Sequence, residues 1–429
     1  MDIMSILLLL GSFFILILLG VHISYAMVAA SAITIIHLGL PLTQVVNTMV
    51  NGINGFTFLS IPFFILAGDI MACGGISDRL IHLSSALVGW MRGGLAMVNI
   101  VASMFFGGIS GSATADTASL GSILIPMMKK EGYDGEFSTA VTMTSSVQGL
   151  LIPPSHNMII YAMAAGGLSI SGLFMGGIVP GVFLGIVLMI FSYILSVKRK
   201  YPKGAPFNLR NLLKAVKESV LGLMTVIIVV FGVVTGIFTP TESAAIAAVY
   251  AFIITFFVYR EVPIKEFSNI LTNSLKTLST VLILIAAAGT FGFLIAYLKV
   301  PAFIAQSLLG ITTNKYIIFF IVNIILLLLG MIMGMASIIV IMTPILLPIV
   351  TQLGMDPIQF GALLILNCGI GLITPPVGGV LFVGSGISGI KMERLVKECL
   401  PFYLVMVGVL LAITYIPAIS MFVPNLLNL

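Results

Sequence analysis

The chain has 429 residues, 59% of them hydrophobic and only 8% charged, with a formal net charge of +5. No water-soluble fold covers that much apolar surface, and many runs reach the length of about 20 residues that spans a bilayer core. The composition implies an all-α polytopic membrane protein, whose surplus Lys and Arg orient loops rather than bind nucleic acid.

Hydropathy predicts two apolar helices at about 4–20 and 23–39. The start, Met-Asp-Ile-Met-Ser, lacks the basic stretch of a cleavable signal, so the first helix is expected to be retained. A loop free of Lys and Arg follows over Leu38–Asn54, then a third helix at about 57–73 and an amphipathic arm over 77–91. An apolar stretch over 93–128 is interrupted between Gly107 and Thr114, and a helix over 136–165 is interrupted at Pro153-Pro154. A last span closes a first unit of residues 1–200.

A polar linker over 201–217 leads to a second unit, 218–429, that repeats the plan. Helices are predicted at about 220–238, 242–259 and 278–297, with an arm over 300–312. A hairpin over 316–350 is broken between Gly330 and Ser337, and a helix over 358–387 is broken at Pro375-Pro376. The repeat is explicit in the residues. Pro126 and Pro348, Gly132 and Gly354, Asp134 and Asp356, Gly149 and Gly371, and Pro153 and Pro375 all stand 222 apart (126 to 348, 153 to 375). Duplicated apolar units interrupted by Gly and Pro point to a secondary transporter with its site where the repeats meet.

Each broken stretch is read as a re-entrant hairpin or as two crossings; either changes the count by an even number. An odd number of crossings per unit inverts the second copy. Placing the N-terminus outside puts Arg79, Arg92, Lys129, Lys130, the cluster from Lys198 to Lys217, Arg260, Lys265, Lys276, Lys391, Arg394 and Lys397 inside. Only Lys299 and Lys315 then fall outside, and both termini lie on the outer face. There is no Gly-rich loop ending in Gly-Lys-Ser/Thr, so ATP is not the expected energy source. Cys73, Cys368 and Cys399 imply neither a disulfide framework nor a metal site.

The breaks carry the candidate chemistry. The first runs Gly107-Gly-Ile-Ser110-Gly-Ser112-Ala-Thr114-Ala-Asp116, glycines for the turn, hydroxyls for oxygen ligands, and an acid alongside. The second, Ser145 to Asn157, frees backbone carbonyls at its two prolines and adds Ser145, Ser155, His156 and Asn157. Half-helix N-termini attract anions, whereas C-termini and unwound carbonyls attract cations. Among the acids, Asp116 is a site candidate or the N-cap of the second hairpin leg. Glu242, after Pro240-Thr241, reads as a helix cap, and Asp69 as structural.

Taken together, Ser110-Gly-Ser112-Ala-Thr-Ala-Asp116 with Pro126, Ile-Pro153-Pro154-Ser155, Pro344-Ile-Leu-Leu-Pro348 and Gly371-Leu-Ile-Thr374-Pro375-Pro376 resemble the large membrane subunit of TRAP transporters, the DctM family. Phe238-Thr-Pro-Thr-Glu242 and Ile61-Pro-Phe-Phe64 fit as well. The resemblance implies two inverted repeats working as an elevator, scaffold plus transport domain, in a bacterial inner membrane with both termini periplasmic. It implies sodium-coupled uptake of an organic anion, a carboxylate or an acidic sugar. It also implies two partners, a small four-helix membrane subunit and a periplasmic binding protein, and no cofactor beyond Na+.

Within that frame one sodium is expected between Ser110, Ser112, Ser145 and Gly149, and another between Gly334, Ser337, Gly371 and Thr374. The solute is expected near Thr114, Asp116, Ser155, His156, Asn157 and Gly378. The chain departs from the family in two places. Gly334-Met335 replaces an acid that many members carry at the second tip, and His156-Asn157 replaces Ile-Pro, a variant similar to the sialic-acid branch. Three other readings remain open: a stand-alone sodium/carboxylate symporter, a channel, and an intramembrane serine protease built on Ser110 and His156.

Overall fold

The computed structural model describes residues 3–429, which form helices and no strand beyond an isolated antiparallel bridge between Arg92 and Lys203. The first half contains α1 (Ile3–Leu18), α2 (Ile23–His37), α3 (Thr43–Ile53), α4 (Ser60–Cys73), α5 (Ile76–Val88), α6 (Gly94–Ser110), α7 (Ala113–Lys130), α8 (Gly135–Ser146), α9 (His156–Ala164) and α10 (Ile170–Lys198). The second contains α11 (Leu209–Val234), α12 (Pro240–Ile253), α13 (Phe267–Tyr297), α14 (Val300–Ile311), α15 (Lys315–Gly330), α16 (Met335–Gln352), α17 (Pro357–Leu372), α18 (Gly379–Ser388), α19 (Met392–Tyr415) and α20 (Pro417–Leu427).

The 222-residue offset carries into the elements: α7 maps onto α16 at both ends, and the starts of α8 and α10 map onto those of α17 and α19. Both Pro-Pro bonds, Pro153-Pro154 and Pro375-Pro376, are cis. Among the described residues, six helices or helix runs are long and apolar enough to cross a membrane, the longest Ile264–Tyr297. The third predicted helix and the arm appear as α4 and α5, bent by 71° at Gly74-Gly75.

Three elements differ from expectation. The segment read as a loop over Leu38–Asn54 contains α3. Its polar residues and 11-residue length give no hydropathy signal, but one face docks on α13. Thr48 Oγ1 lies 2.9 Å from Thr290 Oγ1, which donates to Val45 O at 3.0 Å. A Cβ on Gly52 would stand 3.1 Å from Gly289 Cα, so glycine allows the two backbones to approach this closely. Correspondingly, α13 begins at Phe267, not near 278, and matches α3 plus α4 as one continuous helix. Finally, α11 starts at Leu209 inside the polar 201–217 linker, where Asn208 Oδ1 accepts from Arg210 N at 2.9 Å as its cap.

Local chemistry fixes the remaining ends. Thr239 caps α12 while Glu242 reaches back to Thr239 N at 2.8 Å, a reciprocal capping pair, so Glu242 is structural. Asp69 accepts from Ser274 Oγ at 2.6 Å, joining α4 to α13. Arg79 ties α5 to the segment that follows α12, meeting Glu261 at 2.6 Å and lying 3.7 Å over the Tyr259 ring. A partly exposed pair of this kind contributes modestly, roughly 0–1 kcal/mol.

The pairing of helices across the halves positions the site. The leg α7 packs on α18, and its counterpart α16 packs on α9. Each hairpin leg therefore rests on the helix that follows the other half's proline break.

Candidate solute and cation site

In the first half, α6 and α7 turn back on each other at Gly111, whose φ of +58° is one a side chain rarely adopts. Their antiparallel course is fixed by contacts that widen from the tip: Ser103 Oγ donates to Asp116 Oδ1 at 3.4 Å, and Asn99 meets Met128. The tip is wedged into the first proline break. A Cβ on Gly107 would fall on Gly149 Cα, and one on Gly108 would stand 2.9 Å from Pro153 O. Asn157 Nδ2 donates to Gly111 O at 3.1 Å, and His156 lies against the same glycine. On the other side α4 approaches: a Cβ on Gly68 would be 3.1 Å from Ile109 O.

Two helices therefore begin close together. Ser112 is the N-cap of α7, accepting from Ala115 N at 3.4 Å and pairing with Thr114 Oγ1 at 2.9 Å. The cap is Ser112 and not Asp116. Asp116 is buried one turn deeper, with its Oδ2 unpartnered among the described residues and 3.5 Å from where a Gly149 Cβ would stand. Ser155 is the N-cap residue of α9, yet its buried Oγ makes no capping bond and has no partner among the described residues. The break thus offers an unfilled hydroxyl at a positive helix end.

Behind the tip runs a buried polar chain that, Ser145 apart, the sequence reading left unassigned. Asn99 Nδ2 donates to Thr142 Oγ1 at 2.6 Å, Ser145 Oγ donates to Asn99 Oδ1 at 3.4 Å, and Ser145 Oγ lies 3.0 Å from Ser103 Oγ. Gln148 Nε2 donates to Ile100 O at 2.5 Å. An amide in an apolar span is itself a signal, because it is costly there without partners, and Asn99 carried it.

The second half repeats the wedge with different residues. A Cβ on Gly330 would stand 3.2 Å from Gly371 Cα, and Val377 N donates to Met331 O at 3.1 Å. Thr374 Oγ1 is turned back onto Ile370 O at 2.6 Å, and Gly378 has a φ of +54° at the start of α18. The glycine that meets Gly371 is Gly330. Gly334 caps α16 with open space around it, and Ser337 follows in the first turn, buried. Asn367 and Asn323 occupy the places of Ser145 and Asn99, the latter with a two-residue slip.

The structure thus brings Ser110, Ser112, Thr114, Asp116, Ser145, Gly149, Ser155, His156 and Asn157 to one crossing, and Gly371, Thr374 and Gly378 to the other. Ser110 Oγ is engaged by its own turn, 3.3 Å from Ser112 N, and makes no hydrogen bond with His156 among the described residues. The nucleophile–base contact of a serine protease is not formed. A cavity of about 580 Å³, lined by Trp90, Glu131 and Lys214 among others, lies at the base of α7 away from both crossings.

Comparison with known proteins gives the family. The family model described as the DctM component of tripartite ATP-independent periplasmic transporters matches residues 10–419. The isethionate TRAP transporter permease protein DctMQ of Oleidesulfovibrio alaskensis is 42% identical over 96% of the chain and 65% of its own length. The C4-dicarboxylate TRAP transporter large permease protein DctM of Rhodobacter capsulatus is 36% identical over 91% of the chain and 92% of its own. A solved structure of the Alcanivorax borkumensis YdaH transporter shares the fold at a TM-score of 0.65 and 15% identity, covering 87% of this chain and 88% of that one. The chain is a multi-pass transport subunit and not an enzyme, and it belongs to the DctM component family of tripartite ATP-independent periplasmic transporters.

Proposed function

We propose that this chain is the membrane pathway of a sodium-coupled importer for a small organic anion, working with a small membrane subunit and a periplasmic binding protein in the bacterial inner membrane. The observation that carries the reading is a charge deficit. Residues 105–118, 143–160, 328–340 and 366–380, which build both crossings, contain no Lys or Arg. An anion bound there must be balanced by helix N-termini and by cations that enter with it.

In this reading the N-terminus of α9, with Ser155 and Asn157, and that of α7, with Ser112 and Thr114, hold the anionic group. His156 and Asp116 line the first side and Gly378 the second. One sodium lies by Ser110, Ser112, Ser145 and Gly149, the other by Gly371, Thr374, Ser337 and Gly334. Each ion lowers the cost of bringing the anion to mid-depth, where opposite charges attract strongly. The inverted arrangement of the halves, each with its arm, hairpin and broken helix, makes α6–α9 and α15–α18 a transport body that moves past the remaining helices. The relatives named for isethionate and C4-dicarboxylates favour a small acid of that class. Sialic acid is a narrower reading that rests on His156-Asn157 alone.

The test is uptake of C4-dicarboxylates, isethionate and sialic acid into proteoliposomes holding the chain and its small subunit, with and without the binding protein, and with sodium or choline outside. The expected result is saturable uptake that needs both sodium and the binding protein. Uptake without the binding protein would identify a stand-alone symporter. In addition, Ser110→Ala and Thr374→Val should each weaken sodium dependence; unchanged dependence in both removes these ligand assignments.

A further inference from the structure

The second crossing contains a buried oxygen aimed by a neighbour and left without a donor. Asn367 lies in α17, wholly buried, one turn before Gly371 on the same face. Its Nδ2 donates to Asn323 O and to Asn323 Oδ1, each at 3.0 Å. Asn323 is held in turn, its own Nδ2 donating to Phe319 O at 3.1 Å and Thr414 Oγ1 at 3.0 Å. The carbonyls of Phe319 and Asn323 only accept, so both amide orientations are determined: each nitrogen must face its carbonyl. Asn367 Oδ1 is thereby turned away from Asn323, and no donor among the described residues reaches it.

A buried amide oxygen without a partner costs free energy unless something fills the gap. Its position says what. Asn367 lies in the last two turns of α17, whose C-terminus is its negative pole. There the closing bonds tighten, Ile373 N to Ile370 O at 3.3 Å and Thr374 N to Gly371 O at 2.9 Å. An oxygen fixed beside a negative helix end, in a region without Lys or Arg, suits a hard monovalent cation and repels an anion. The equivalent Ser145 is not in this condition: its hydroxyl is engaged with Thr142 O at 3.1 Å, Ser103 and Asn99.

We infer that Asn367 Oδ1 is a ligand of a sodium ion at the second crossing and that Asn323 is the positioning residue that aims it. The inference rests on the sodium-coupled reading above and adds the side chain that fixes where the second ion sits. The amide pair replaces the hydroxyl chemistry that the first crossing uses.

The test uses the full-length chain in detergent with sodium chloride against choline chloride at constant ionic strength. It reads ²²Na⁺ binding and the sodium-dependent rise of the unfolding midpoint. Asn367→Leu is expected to weaken apparent sodium affinity at least tenfold. Asn367→Asp, which places a carboxylate at the same point, is expected to tighten it at least threefold. Asn323→Leu should weaken it too, because the amide that aims Asn367 is gone. A mere helix-packing pair predicts lower stability in all three variants and unchanged sodium affinity in whatever folds. That result overturns the inference. If Asn367→Leu does not fold, Asn367→Asp decides, and unchanged sodium affinity there overturns the assignment. A wild-type chain indifferent to sodium overturns both this inference and the coupling it rests on; a sodium-responsive wild type whose variants all keep the wild-type sodium affinity overturns this inference alone.

Discussion

The two crossings share a backbone and differ in chemistry. Where the first has Ser110, Ser112, Asp116, Thr117, Ser155 and Asn157, the second has Ile332, Gly334, Ile338, Ile339, Val377 and Gly379 at the 222 offset. Both keep the glycine contact that seats the tip in the break, Gly107 on Gly149 and Gly330 on Gly371. Duplication thus preserved the steric element and let the polar groups diverge. Under the proposed function this difference is a division of labour, with side-chain contacts to a solute at the first crossing and carbonyls and an aimed amide for a cation at the second.

Substitutions sharpen that comparison. The largest effect is expected for Gly107→Ala, whose new methyl would meet the Gly149 backbone, against a control outside both crossings, Gly408→Ala in α19, which meets nothing within 4 Å. The first should cost about 1–3 kcal/mol or more and abolish uptake, and the second should leave melting and uptake near wild type. Thermal unfolding in detergent checks both. Next, Ser155→Ala removes the unfilled hydroxyl at the start of α9 and should raise the solute KM roughly tenfold, about 1.4 kcal/mol. Val377→Ala, its counterpart, should change KM less than twofold. Equal effects would end the assignment of solute contacts to the first crossing. A smaller effect is expected at Asp116, whose Oδ2 has no partner among the described residues. Asp116→Asn keeps shape but removes the charge, and should lower uptake severalfold at limiting sodium and less at saturation. The smallest is a control outside both crossings. Thr239→Ala breaks the cap of α12 and should cost about 1 kcal/mol without altering the sodium dependence of uptake.

Much of this architecture was legible because the repeat is written in residues that act on the backbone. The Pro-Pro pairs and the glycines near 107, 149, 330 and 371 dictate where helices stop and where they touch, and the structure places breaks and contacts there. What stayed hidden depends on partners far along the chain. The helix α3 exists because its Val45 and Gly52 face finds α13, more than 200 residues away, and no local apolar run announces it. Asn99 and Asn323 fall within apolar spans, where one amide barely moves a hydropathy window. Asp116 is not a cap because the neighbouring Ser112 takes that role, a competition that spacing alone does not resolve.

The opposed orientation of the halves is the premise beneath the charge argument, the paired sodium sites and the moving body, and accessibility measures it directly. Lys130 at the end of α7 and Gln352 at the end of α16 are equivalent and exposed. With Cys73, Cys368 and Cys399 replaced by serine, Lys130→Cys and Gln352→Cys should each react with a membrane-impermeant maleimide from one side only. The account predicts position 130 labelled from the cytoplasmic side and position 352 from the periplasmic side; both labelled from the same side would contradict it.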